Sequence, residues 1–262
     1  MNMFKNLLAN FRYFSTKPNV HQTEAFNELA EMWWNDKGIL RILHTLNDLR
    51  VNWITTQLIK TGTIQKTVDK STTLKGISVL DVGCGGGILT EPLSRLGGDI
   101  TGLDCNVEMI KIATSRMQDK NVPNLRYILS AIEEYSTDNK NKYDVVVASE
   151  TIEHVNEQDV FLKCCVECLK PGGSIFITTN SKSQCSKFLF ITLLEDILSA
   201  LPKGTHEYDM FIDIEEAKNL LRKEKCDVTF SSGIIYSPFN NRWYWIKNPY
   251  ILHYGLHAIK SS

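Results

Sequence analysis

The chain has 262 residues, and its 29 Lys and Arg against 30 Asp and Glu leave a formal charge of −1, which provides no field for gathering nucleic acid. With 43% hydrophobic and 23% charged residues it has the composition of a globular protein, which excludes collagen-like, coiled-coil and disordered classes. Its 7 Cys are odd in number and scattered through apolar segments, so they read as thiols of a reduced compartment and not as a disulfide framework.

Residues 1–23 contain Lys5, Arg12 and Lys17 and no acid, and Met3, Phe4, Leu7, Leu8, Phe11 and Phe14 recur near helical spacing ahead of Ser15 and Thr16. This is the pattern of a mitochondrial targeting segment, placed at residues 1–20, with an ordinary amphipathic first helix as the alternative. No run of about 18 uncharged apolar residues follows, so no membrane-spanning helix is expected. From Glu24 to Lys60 the spacing of Phe26, Leu29, Trp33, Ile42, Leu46, Leu49 and Trp53 predicts two helices split near Asn35-Asp36-Lys37-Gly38, placed ahead of the core. Residues 61–76, rich in Thr, Lys and Gly, read as a linker, so residues 21–75 form an N-terminal unit and residues 76–262 the main domain.

Strands are predicted at Ser78 to Val82, Asp99 to Asp104, Leu125 to Leu129, Asp144 to Ala148, Ser174 to Thr179, Asp227 to Tyr236 and Leu252 to Lys260. Helices are predicted at Gly87 to Leu96, Val107 to Asp119, Glu157 to Leu169 and Asp213 to Lys223. Continuous apolar strands such as Val145-Val146-Val147-Ala148, alternating with helices, indicate a sheet covered on both faces. The expected fold is Rossmann-like α/β, with seven mostly parallel strands and an apolar helical insertion before the sixth.

Leu80-Asp81-Val82-Gly83-Cys84-Gly85-Gly86-Gly87 follows the first strand, where glycines let the backbone turn tightly and approach a ligand. Asp104, at the end of the next strand, is placed to accept hydrogen bonds from ribose hydroxyls, and the pair is more specific than either part. A dinucleotide and S-adenosylmethionine (SAM) compete for such a site. Asp81 favours SAM, because a carboxylate at the strand tip repels a pyrophosphate but suits a sulfonium and its ammonium group. A carboxylate tied to the backbone of the turn is the plainer alternative.

Glu150, Glu153 and His154 stand at i, i+3 and i+4 after the fourth strand, a spacing that would bring them to one face of a helical turn. Two carboxylates and an imidazole can hold a divalent ion with positions open to both oxygens of a catechol, or they can simply cap a helix or line a pocket. His206, after Lys203-Gly204-Thr205, is a candidate general base or substrate contact. Cys165 and Cys168 fall in a helical stretch and read as buried thiols. Trp243, Trp245, Tyr236, Phe239 and Tyr244 could wall a quinol ring or pack a core. Phe188, Leu189, Phe190, Ile191, Leu193, Leu194, Ile197, Leu198 and Leu201 crowd residues 186–201, which could lie on a membrane surface or serve as a lid.

Val79 to Gly87 resembles the first motif of class I SAM-dependent methyltransferases, and Leu169-Lys170-Pro171-Gly172-Gly173 resembles their turn before the fifth strand. Gly85 to Leu93, Ala148 to Val155 and Pro202 to His206 resemble the ubiquinone-biosynthesis O-methyltransferase family, and the likeness covers about residues 22–260. The resemblance implies SAM as co-substrate, with Arg50, Gly83, Asp104 and Ser149 at matching contact positions beside Asp81 and Gly85. On the residues alone, Arg50 reads as a solvated helix charge. The resemblance also implies Mg2+ on Glu150, Glu153 and His154, with His206, Glu150 and His154 serving catalysis. It implies polyprenylated catechol or quinol substrates, work at the matrix side of the mitochondrial inner membrane, and association with other ubiquinone-biosynthesis proteins. A metal-independent small-molecule methyltransferase, a noncatalytic SAM-fold scaffold and an oxidoreductase on the same topology are the rivals.

Overall fold

The computed structural model describes residues 27–38, 40–186 and 208–261. The targeting segment, His206 and all but the first residue of the 186–201 insertion therefore lie outside the described residues. Eight strands build one sheet: β1 (Ser78–Val82), β2 (Asp99–Asp104), β3 (Leu125–Leu129), β4 (Tyr143–Ser149), β5 (Leu169–Asn180), β6 (Cys226–Ser237), β7 (Arg242–Ile246) and β8 (His253–Lys260). Their order is β3-β2-β1-β4-β5-β8-β6-β7, with β1 to β5 parallel and β6, β7 and β8 joined antiparallel.

The predicted α/β class holds, and among the described residues the sheet has eight strands where seven were expected. The added strand is Arg-Trp-Tyr-Trp-Ile at the sheet edge, a run of β-favouring aromatics set after the turn at Asn240 and Asn241. Read as a quinol wall or as core packing, the run concealed a hairpin with β6.

Helices α1 (Arg41–Lys60), α2 (Thr90–Arg95), α3 (Val107–Asp119), α4 (Ile132–Asp138), α5 (Gln158–Cys168) and α6 (Ile214–Lys223) cover the sheet. Alternate side chains of one strand enter opposite cores. Val145 and Val147 pack with Leu93, Ile100 and Phe176, whereas Val146 and Ala148 pack with Phe161, Leu162 and Ile177. That two-sided burial explains why the parallel strands read as unbroken apolar runs.

The N-terminal unit does more than precede the core. Trp53, Ile54 and Leu58 of α1, with Ile64 and Leu74 from the expected linker, belong to the same cluster as Val145 and Phe176. A second stripe of α1, Leu46, Asn47 and Arg50, is also buried and faces the carboxyl ends of the strands. Before α1, a 3₁₀ turn at Ala30–Met32 brings Leu29 and Trp33 against Ile88 and Met109. The helix expected from Gly87 begins only at Thr90, because Gly87 has φ +90° and cannot start one. α4 was not foreseen.

Candidate functional site

The strand order reverses between β1 and β4, and the crevice beyond their carboxyl ends is where an α/β sheet holds its ligand. A cavity of about 280 Å³ opens there. Asp81, Asp104, Ser149 and Asn180 each stand at or next to the carboxyl end of a different strand and line it.

On one side, the glycine loop is shaped by two backbone bonds, Gly83 N–H and Cys84 N–H both donating to Leu103 O at 2.8 and 3.0 Å. Gly83 has φ +73° and Gly85 φ +52°, conformations that favour glycine. Asp104 Oδ2 accepts from Gly85 N–H at 2.8 Å and its Oδ1 from Asn106 N–H at 2.8 Å. Burial raises Asp104 above the ordinary carboxylate value against these bonds. An ionised carboxylate has about four acceptor sites, so Asp104, already bonded by the N–H groups of Gly85, Cys105 and Asn106, keeps capacity for a ribose hydroxyl.

Asp81 is 2% exposed and accepts from Thr90 Oγ1 at 2.9 Å, so its partner is a hydroxyl of α2. Burial pushes it up to about 6, against the bond from Thr90 and the attraction of Arg50. Arg50 is itself 4% exposed, which rules out the solvated helix charge. Its guanidinium donates to Asn47 Oδ1 at 3.1 Å and to Ser149 Oγ at 2.8 Å. Burial draws Arg50 below its ordinary value, opposed by Glu150 and Asp81. Arg50 Nη2 also donates to Leu43 O and Asn47 Oδ1, so Arg50 and Asp81 place a buried positive charge with one donor to spare and a carboxylate in one water-poor wall. That combination complements an α-amino acid, whose two ends carry opposite charges.

A roof closes over this loop that spacing alone did not show. Trp33 lies so close that a Cβ at Gly85 would sit 2.7 Å from its Cζ2, and Trp34 Nε1 donates to Gly86 O at 3.0 Å. Arg116 stacks over the Trp34 ring, 3.9 Å from its centre.

On the other side stand the acidic residues and histidines. The expectation that Glu150, Glu153 and His154 share one helical face is corrected. Glu150 has φ +54° and precedes a 3₁₀ turn covering only Ile152–His154. The turn is set by Glu150 N–H donating to Thr178 O at 2.8 Å. All three side chains still line the cavity, but among the described residues no three His, Cys, Asp or Glu converge as a ligand cluster.

Glu150 Oε1 accepts from Thr178 Oγ1 at 2.7 Å and lies 2.8 Å from His253 Nε2. Burial alone would raise Glu150, but His253, Arg50 and Thr178 outweigh it and hold it below the usual carboxylate range. Glu153 is 1% exposed and accepts from Thr179 Oγ1 at 2.7 Å. Burial, with the charge of Glu150, pushes it up to about 8. Two hard-oxygen carboxyl groups, Glu153 buried and Glu150 partly buried, suit a dication in hardness.

Comparison with known proteins agrees with this geometry. A family model described as a methyltransferase domain matches residues 80–177. The mitochondrial ubiquinone biosynthesis O-methyltransferase of Rattus norvegicus is 41% identical over 254 residues, 95% of this chain and 72% of that protein. The ubiquinone biosynthesis O-methyltransferase of Acinetobacter baumannii (strain ACICU) is 34% identical over 244 residues, 93% of this chain and 97% of the bacterial one. The chain belongs to the ubiquinone biosynthesis O-methyltransferases. Among solved structures, the Synechocystis PCC 6803 magnesium protoporphyrin IX methyltransferase with bound SAH shares the fold, with TM-score 0.58 and 18% identity over 87% of each chain.

The chain is a SAM-dependent O-methyltransferase of this family, and β5, β7 and β8 add Asn180, Trp243 and His253 to the cavity wall. Trp243 faces the cavity, its ring 5.9 Å from His253 and its Nε1 donating to Ile42 O at 3.1 Å. Trp245 instead packs on Trp53 and Phe230 in the core, and Phe239 is fully exposed, so the expected aromatic wall reduces to Trp243. His253, Asn180 and Thr178 were missed, because no local spacing ties β5 or β8 to Glu150. All seven Cys are free, with Cys165 and Cys168 buried in α5 as expected.

Proposed function

We propose that the chain transfers a methyl group from SAM to a hydroxyl of a polyprenylated catechol or hydroquinone on the route to ubiquinone. One observation carries this reading: a single cavity joins the Asp81, Arg50 and Asp104 wall to the Glu150, Glu153 and Trp243 wall, so donor and acceptor would meet inside it. Asp104 would accept a ribose hydroxyl, Asp81 the ammonium group, and Arg50 would bind the carboxylate. The acceptor oxygen attacks the methyl carbon in line, the carbon–sulfur bond breaks, and the products are an aryl methyl ether, S-adenosylhomocysteine and a proton.

Glu150 and Glu153, with His154 beside them, are the residues that would hold Mg2+. When bound, the ion would lower the pKa of the acceptor hydroxyl and fix its oxygen. Glu150 takes its orientation from Thr178 and His253, while Trp243 would flank the ring and Trp33 would cover the donor beside the glycine loop. A second reading, methyl transfer without metal, is favoured by the lack of a converged three-ligand cluster among the described residues. His206 is kept as the candidate proton acceptor on sequence grounds.

The name of the rat relative and the acid-free stretch at residues 1–20 support a mitochondrial location, which we extend to the matrix side of the inner membrane. Among the described residues no helix is long and apolar enough to cross a membrane. Peripheral contact through residues 186–201 and association with other ubiquinone-biosynthesis proteins complete the proposal. The test is a methyl-transfer assay on a short-chain catechol with and without chelator. Turnover that is lost on chelation and restored by Mg2+ supports the metal-assisted reaction. Turnover untouched by chelation selects the second reading, and none under any condition rejects both. Deletion of residues 186–201 that leaves liposome cosedimentation unchanged removes the membrane role.

A further inference from the structure

His253 opens β8 directly opposite Asn180 in the antiparallel ladder with β5, and it is 2% exposed. Its Nδ1 lies 3.0 Å from Asn180 Oδ1, its Nε2 lies 2.8 Å from Glu150 Oε1, and the Trp243 ring packs at 5.9 Å and 49°. We propose that His253 is a positioning residue of the acceptor site, fixing the Glu150 carboxylate by its Nε2 while Asn180 and Trp243 fix the imidazole.

Three observations converge on it. First, the clamp is specific to one oxygen. Both His253 Nε2 and Thr178 Oγ1 address Glu150 Oε1, so the pair sets the rotation of the carboxylate and not merely its position. Second, Glu150 adopts the left-handed backbone region at φ +54°, uncommon for a residue with a side chain, and His253 and Thr178 hold that side chain where this backbone points it. Third, the clamp belongs to a longer hydrogen-bonded row. Arg50 donates to Ser149 at 2.8 Å, Ser149 and Thr178 share a bond of 2.6 Å, Thr178 donates to Glu150, and His253 continues the row to Asn180. One end of the row is the donor wall and the other the acceptor wall, and His253 belongs to the acceptor end alone.

This inference rests on the reading that Glu150 serves the acceptor side. An outer partner of a ligating or orienting side chain typically changes metal affinity or activity by about 10- to 100-fold when removed. The experiment compares the full chain with His253→Leu, His253→Gln, Glu150→Gln and the double variant Glu150→Gln/His253→Leu. It measures SAM affinity by calorimetry, Mn2+ affinity by paramagnetic resonance without turnover, and kcat and KM on a short-chain catechol. Expected for His253→Leu are losses of about tenfold or more in kcat and in Mn2+ affinity, with SAM affinity within about threefold of the parent. His253→Gln, which keeps an N–H that can reach Glu150, should recover most of both. The double variant should be no worse than Glu150→Gln alone, because residues acting through one group are not additive. His253→Asn, too short to reach Glu150 but able to keep Asn180, replaces His253→Leu if the latter does not fold.

If Glu150→Gln is impaired while the His253 variants stay within twofold of the parent, the positioning role falls and the proposed function stands. A parallel loss of SAM affinity would mark His253 as general scaffolding and also overturn the role. If Glu150→Gln itself is unimpaired, the reading of that carboxylate falls, and this inference falls with it.

Discussion

Replacing Gly86 by Ala isolates the contact between the N-terminal turn and the glycine loop. Gly86, unlike its neighbours Gly85 and Gly87, is outside the left-handed region, so an alanine there meets no backbone strain. The added Cβ would stand 2.5 Å from Trp33 Nε1 and 2.8 Å from its Cγ, well inside van der Waals contact with a rigid ring. The ring cannot yield by a small bend. It is 7% exposed and packed with Leu29, Leu40, Ile88 and Met109, and the next residue is tied to Gly86 O. Inserting a methyl group into such packing costs about 1–3 kcal/mol, and each kcal/mol lowers Tm by about 2–4 °C in a chain of this size. The assay is urea unfolding of the parent, Gly86→Ala, Trp33→Ala and the double variant. A ring that takes the full clash makes the alanine nearly harmless once Trp33 is gone, a coupling of about 1 kcal/mol or more in a double-mutant cycle. Additive effects within about 0.5 kcal/mol would refute the roof.

Arg50→Leu should weaken SAM binding by about 10- to 150-fold, the loss of charge-assisted bonds worth about 1.5–3 kcal/mol, measured by calorimetry. Arg50→Lys should recover little, because an ammonium cannot make the bonds to Asn47, Leu43 and Ser149 that hold the guanidinium in place. Asp81, raised to about 6, should make SAM affinity rise with pH, tightening about tenfold from pH 5 to 7 as the carboxyl ionises, with a flat profile in Asp81→Asn. The folded state binds more protons than the unfolded one between the ordinary value of 3.8 and about 6, so this carboxyl also makes ligand-free stability fall as pH rises through that window, a slope that Asp81→Asn removes in thermal melts. Glu153→Gln should abolish the chelator sensitivity of turnover and lower kcat, as judged by the same catechol assay.

The parts of the fold legible in the sequence are those whose physics is local. β1, β2 and β3 and helix α3 fall where apolar runs and helical spacing place them, and in the structure Asn106 Oδ1 caps that helix by accepting from Glu108 N–H at 2.9 Å. The glycine loop and Asp104 were legible because turn geometry and an acid at the next strand end form a fixed pair. What stayed hidden depends on chains meeting across the fold. Arg50 reads as an ordinary helix charge until α1 docks its polar stripe on the cavity. Glu150 reads as the start of a helix until its N–H is taken by Thr178 on β5. His253 is 103 residues from the carboxylate it touches, a distance no motif spans.

A crystal structure of the chain soaked with SAM is the most direct test of this donor site. The expected result has a ribose hydroxyl on Asp104 and the amino-acid end between Asp81 and Arg50, with the methyl group turned toward Glu150 and Trp243. Density for SAM elsewhere, or an orientation that leaves Asp81 and Asp104 without contact to it, would contradict the assignment.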